Sequence, residues 1–287
     1  MVILSIAKAT IGDALRKKVL QIFLVVAIGL IIISLSFSQT LSFSTRGGAG
    51  ADLMIVKSMG LGLMAIAGWL ISLVMGVSLI PQEIERRTIY TILAKPVKRY
   101  EFIIGKYLGA LGTLLINIGL MGIVFIIVIM VKAYGAEVPT STPSTEINAP
   151  GMQAIGIFDM NMVWGVIMIY LQFMVLSSVV LLFSVLLTPT VNFFAGLGVY
   201  IVGLMAPMVQ TLAKSEKAPA ILKSFYWGVY YAIPNIEKFN ILTSPLLHPE
   251  TGIVDPMVYT GRMALYALFY SLIMMVVTVI IFERKEV

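Results

Sequence analysis

The sequence predicts an all-helical integral membrane protein. It has six transmembrane helices, both termini cytoplasmic, an amphipathic N-terminal helix and a short charged cytoplasmic helix between the second and third spans. Three observations carry this. Of the 287 residues, 59% are hydrophobic and only 12% charged, and the mean hydropathy is +0.99; soluble domains hold about 45–50% apolar and about 25% charged residues. Six apolar runs approach or exceed the roughly 20 residues a helix needs to cross a hydrocarbon core about 30 Å thick. No Asp, Glu, Lys, Arg or His falls inside any of the six. A single transmembrane domain over 1–287 accounts for the whole chain.

Residues 1–18 place Ile3, Ile6, Ala7, Thr10, Ile11 and Ala14 on one side of a helix, with Lys8, Arg16, Lys17 and Lys18 elsewhere. That is the pattern of a basic amphipathic helix lying on the inner leaflet; a plain solvated helix is the other reading. The first span, Val19–Phe37, is longer than the 7–15 residues of a signal-peptide core and is followed by no small-residue cleavage pattern, so it reads as a retained span. The next spans are Met59–Ile80, Leu108–Val131, Met162–Leu187 and Val191–Leu212, the last two joined by Thr188-Pro189-Thr190, where proline breaks the helix. Met263–Phe282 is the sixth. Gly105, Gly109 and Gly112 at the start of the third span have the spacing of close helix packing, as Gly60 and Gly68 do more loosely; whether the partner helix belongs to the same subunit is open.

Basic residues set the orientation. Lys8, Arg16, Lys17, Lys18, Arg86, Arg87, Lys95, Lys98, Arg99, Lys106, Arg284 and Lys285 are twelve of the twenty, all in short segments on one side. The positive-inside rule makes that side the cytoplasm of a multi-pass protein of the cytoplasmic (inner) membrane. The net charge of +6 thus has a location, and nucleic acid is not needed to explain it. On the opposite face, Ala133–Gly151 is a Pro-, Ser- and Thr-rich loop. Residues 213–261 cluster Phe225, Tyr226, Trp227, Tyr230 and Tyr231 before Pro234. Such aromatics favour the headgroup boundary, so interfacial or re-entrant helices are expected, with an ordered aromatic loop as the alternative.

The charge is densest over Ile80–Lys106, where one Gln, three Glu, three Arg and three Lys fall within 27 residues. Pro81 suits the first turn of a helix. Ile84, Thr88 and Ile92 then recur at helical spacing beside Ile89 and Leu93, and Glu83 precedes Arg87 by four, the better orientation for an ion pair. Lys95-Pro96 ends the helix, because the residue before proline is pushed out of helical angles. The expected result is a short helix over residues 82–94, lying crosswise to the spans with one apolar and one charged side. A plain positive-inside loop is the competing reading. It does not account for the acids among the bases, the helix start and stop, or an apolar stripe that needs a surface to cover.

The stretch resembles the cytoplasmic loop of export-type (type-2) ABC transporter permeases. Glu83 and Glu85 match its acidic start, Thr88 to Leu93 its Thr-aliphatic-Leu run, Pro96-Val97-Lys98-Arg99 its Pro-Val-x-Arg, and Gly105-Lys106 the opening of its third span. "YYAIPNIEKFNI" and the closing "IFERKEV" are similar to that family's last segment. The resemblance implies a coupling helix seated in a cleft of a cytosolic ABC ATPase subunit. Two permease chains, identical or related, and two ATPase chains would make the transporter, with ATP and magnesium in the ATPase and the path at the permease dimer interface. The coupling residues would be Gln82, Glu83, Ile84, Glu85, Arg86, Arg87, Thr88, Ile89 and Leu93. Glu83, Glu85, Arg86 and Arg87 form the charged face and Ile84, Ile89 and Leu93 the docking face. Arg99 and Lys106 are expected to anchor the third span at the inner headgroups.

Several chemistries are excluded. "YEFIIGKY" (Tyr100–Tyr107) has Tyr where a phosphate-binding loop needs its first Gly and its Ser or Thr, so ATP hydrolysis requires another chain. With no Cys and a single His (His248, in the turn "PLLHPETG"), thiolate and multi-histidine metal sites are ruled out. No protease or hydrolase motif occurs, so catalytic, cofactor-binding and metal residues are none. A secondary transporter or channel is the rival reading. Against it, the spans lack the intramembrane acids and bases that proton and ion relays retain. Their polar groups are mild: Ser34, Ser72, Ser78, Asn117, Gln172, Ser177, Ser178, Ser184 and Asn192.

Overall fold

The long apolar runs become helices, the fifth as a bent pair, and the bundle is ordered by which helix is buried deepest. The structure, a computed structural model, describes residues 2–45, 49–79, 98–136, 160–214, 219–240 and 255–284. Among these the helices are α1 (Val2–Leu15), α2 (Lys18–Thr45), α3 (Ala49–Leu79), α4 (Arg99–Ala136), α5 (Met160–Leu186), α6 (Pro189–Leu204), α7 (Ala206–Lys214), α8 (Ala220–Ala232) and α9 (Pro256–Arg284), with a 3-10 turn at Glu237–Phe239. No strand occurs among the described residues. α2, α3, α4, α5 and α9 are each long and apolar enough to cross a membrane, and the α6–α7 pair is a sixth crossing if taken as one bent span.

α5 is the centre. Two-thirds (67%) of its apolar window is buried, against 22% for α2 and for α9, so those two present most of their surface outward. α3, α4 and α9 pack around α5. Glycines set how close they come. A Cβ at Gly68 would stand 2.5 Å from the Phe173 ring, and one at Gly60 would collide with the Phe125 ring. The loose Gly60 and Gly68 spacing therefore serves contacts of α3 inside this subunit.

The Gly105, Gly109 and Gly112 stripe has the same explanation and a definite partner. It is the bed of α1. A Cβ at Gly105 would stand 2.8 Å from Ile6 Cβ, one at Gly109 2.5 Å from Thr10 Cβ, and one at Gly112 2.6 Å from Ile11 Cδ1. Ala7, Thr10 and Ala14 are buried on this face, while Leu4, Lys8 and Leu15 stay exposed. Small residues on both helices let the backbones approach, and dispersion contacts replace the missing side chains. At the end of α1 the Gln21 side-chain amide donates to Leu15 O at 2.8 Å, satisfying a last-turn carbonyl as the chain turns into α2.

The fifth apolar run reads as one helix from Val191 to Leu212, and the structure breaks it. α6 and α7 meet at Met205 with a bend of 59°. Pro207 is the cause. Its nitrogen would have donated to Gly203 O and has no hydrogen; Ile236 N–H takes that carbonyl instead, at 3.2 Å. Gly203 also lets the returning chain in, since a Cβ there would lie 2.8 Å from Pro234 O. At the other end of α6, Pro189 occupies the first helical turn, following an extended Thr188.

Beyond the bend, the aromatic cluster forms a helix. α8 rests on α7, with Trp227 and Tyr231 stacked at 5.5 Å and Ile221, Phe225 and Tyr231 exposed. Tyr270 Oη donates to Ala232 O at 3.1 Å, and Tyr266 Oη accepts from Asn235 N–H at 3.1 Å, so α9 holds the end of α8.

Candidate functional site

The charged segment connects α3 to α4. Residues 80–97, and with them Gln82, Glu83, Ile84, Glu85, Arg86, Arg87, Thr88, Ile89 and Leu93, lie outside the described residues. The ends that receive the segment are described. Leu79, the last residue of α3, is buried. α4 starts one residue after Lys98, whose backbone N–H donates to Glu101 Oε2 at 3.2 Å. A carboxylate three residues into a helix meets both an orphan amide and the positive end of the helix dipole. Lys98 Nζ lies 5.7 Å from the Tyr100 ring centroid.

The first turns of α4 dock on the last turn of α9. Arg99 Nη1 donates to Phe282 O at 3.4 Å and to Glu283 O at 3.3 Å. Both carbonyls lie in the last described turn of α9, and the C-terminal end of a helix carries the negative end of its dipole. One turn along, the rings of Phe102 and Phe282 stack at 6.1 Å with 22° between planes, and both are buried. Lys106 is also buried, at 7% exposure, with Nζ 5.6 Å from the Phe102 ring centroid. Arg99, Phe102 and Lys106 thus form one stripe at i, i+3 and i+7. The two basic residues expected at the headgroups are placed against a neighbouring helix end and an aromatic ring. The sequence offered no local cue to this joint, because Arg99 and Phe282 lie 183 residues apart.

Inside the spans the polar groups mostly turn back on their own helix. Ser34, Ser177, Ser178 and Ser184 each donate to the carbonyl three residues earlier, and Thr113 Oγ1 and Asn117 Nδ2 to the one four earlier. Such bonds satisfy a hydroxyl in hydrocarbon without a ligand. Others cross between helices. Tyr107 Oη donates to Met174 O at 3.1 Å, joining α4 to α5, and Asn192 Nδ2 donates to Gly76 O at 3.2 Å, joining α6 to α3. The α3–α6 seam continues through Gly196 against Leu73 to Tyr200 stacked on Trp69 at 5.3 Å. Along it Trp69 Nε1, Ser72 Oγ and Asn192 Oδ1 are buried with no hydrogen-bond partner among the described residues.

A bundle of apolar helices around a buried central one, with charge gathered between two spans, defines a multi-pass membrane protein. The family model for ABC-2 family transporter proteins matches residues 4–287, and the chain belongs to that family. It is a membrane permease of an ABC transporter. The comparison with curated proteins found no match.

Proposed function

We propose that the chain is the membrane subunit of an ATP-driven exporter of the cytoplasmic membrane, with hydrolysis carried out by a separate cytosolic ABC ATPase. The observation that carries this is the charged segment between α3 and α4 in a chain of the ABC-2 family. Residues 82–93 are the coupling helix. Ile84, Ile89 and Leu93 cover an apolar cleft of the ATPase, and Glu83, Glu85, Arg86 and Arg87 set its register. ATP and magnesium bind in that partner. A ligand moves an equilibrium only by its differential affinity for the two states, so the cleft must hold the coupling helix differently with and without ATP. Both termini and this helix face the cytoplasm, by the distribution of Lys and Arg. Two permease chains meet at the translocation path and two ATPase chains drive them.

Combining Glu85→Lys with Arg87→Glu tests this. Like charges placed across a docking surface cost several kcal/mol, so stimulation of the ATPase by the permease should fall by at least about tenfold, equivalent to ~1.4 kcal/mol. Membrane insertion should stay intact, because neither residue lies in a span. Wild-type stimulation by the double variant, measured in reconstituted vesicles, would remove the coupling role from this segment.

A further inference from the structure

We propose that Arg99 is a positioning residue that latches the end of the last span to the start of the third, so that displacement of the charged segment moves both as one body. The proposal rests on the coupling role given to that segment. Arg99 opens α4, so any push or pull from residues 80–97 reaches it first. Its guanidinium holds two backbone carbonyls of the α9 terminus, Phe282 O and Glu283 O, so the contact is to the frame of α9 rather than to a side chain that can swing away. The buried Phe102–Phe282 stack joins the same two helix ends, beside a half-buried bond to Phe282 O and an exposed one to Glu283 O.

α9 packs chiefly along α5. Its seam with α4 is the smaller of the two, and the latch fastens that seam. Tyr107, two turns into α4, bonds α4 to α5 through Met174 O. The two fastenings together make α4, α5 and α9 one block at this end of the bundle, with Arg99 at its input. Arginine suits the position because it stays charged and its Nη1 reaches two neighbouring carbonyls; lysine keeps the charge and loses the guanidinium's fixed geometry.

The test uses the full chain in phosphatidylethanolamine–phosphatidylglycerol vesicles and compares wild type, Arg99→Lys and Arg99→Gln by hydrogen–deuterium exchange. Arg99→Gln should speed exchange of the last-turn amides of α9, residues 280–284, at least about tenfold, one decade in the opening constant. Arg99→Lys should give a smaller rise, and α2 should be unchanged in both. In the complex, Arg99→Gln should keep the ATPase chain bound at wild-type stoichiometry while losing the permease's stimulation of hydrolysis. Unchanged exchange at 280–284 overturns the latch. Faster exchange with full stimulation overturns its part in coupling. If no ATPase accompanies even the wild-type chain, the coupling reading fails, and the exchange comparison still decides whether Arg99 holds the two helix ends together.

Discussion

Gly109→Leu is expected to detach α1 from α4. A Cβ at 109 already falls 2.5 Å from Thr10 Cβ and 3.0 Å from the Ala7 carbonyl oxygen. A side chain can turn away, but a backbone carbonyl moves only with its helix. Overpacking a well-packed site costs about 1–3 kcal/mol, and a leucine set against backbone lies at or above the upper end. In a chain of this size that corresponds to a fall in the thermal midpoint of roughly 5–10 °C. The chain has no cysteine, so Ala7→Cys supplies a thiol that reports only on this contact. Ala7 is 7% exposed, and the thiol should react slowly with a water-soluble maleimide until Gly109→Leu is added. Gly12→Leu is the control, because nothing lies within 4 Å of a Cβ there. Continued protection of the thiol in the Gly109→Leu background would mean that α1 does not depend on this stripe.

Gly76→Leu should damage the bundle to a similar degree where α3 meets α5. A Cβ at 76 would collide with the Val180 side chain of α5, and Gly76 O is also the acceptor for Asn192 Nδ2 of α6. Three helices are therefore fixed at one residue. The milder Gly76→Ala should cost about 1–3 kcal/mol. Val180→Ala alone should cost about 1–2 kcal/mol for the lost buried methyls. Together they should be at least ~1 kcal/mol more stable than the sum, since residues in contact couple by about that much. Thermal unfolding of the four proteins in one detergent measures the cycle. Strict additivity would show that the close approach at Gly76 is not what holds α3 against α5.

Much of this fold was legible because a bilayer imposes length and polarity on whatever crosses it. The spans follow from unbroken apolar runs, and the charged segment stands out because the rest of the chain is so poor in charge. The glycine spacing before the third span announced close packing, but a spacing carries no address. Only the structure names α1 as the helix in that groove. The bend in the fifth span had a cue in Pro207. Hydropathy overlooks it, since a missing N–H alters a hydrogen bond four residues back without changing apolarity.

The candidate site was legible unevenly. In the proposed function, the pattern of Ile84, Ile89 and Leu93 against Glu83, Glu85, Arg86 and Arg87 is a docking surface whose partner is a separate chain. Basic residues at span ends usually sit at the headgroups, and the local sequence supports that position for Arg99 and Lys106. What the local sequence lacks is the position of the last helix. With α9 in place, the Phe282 and Glu283 carbonyls also reach the start of α4 and accept from Arg99. The nine polar side chains predicted inside the spans were visible as residue types. Among the described residues, most of those with a described side chain bond to their own helix, which no spacing rule separates from a contact with cargo.

The central claim is that this permease works on a separate ATPase through residues 82–93. The most direct measurement is gentle detergent extraction of the native protein followed by intact-complex mass spectrometry. Two permease chains with two copies of an ATP-binding chain are expected, with loss of that chain when Glu85→Lys and Arg87→Glu are combined. A lone chain or bare oligomer, reproduced in several mild detergents, would contradict it.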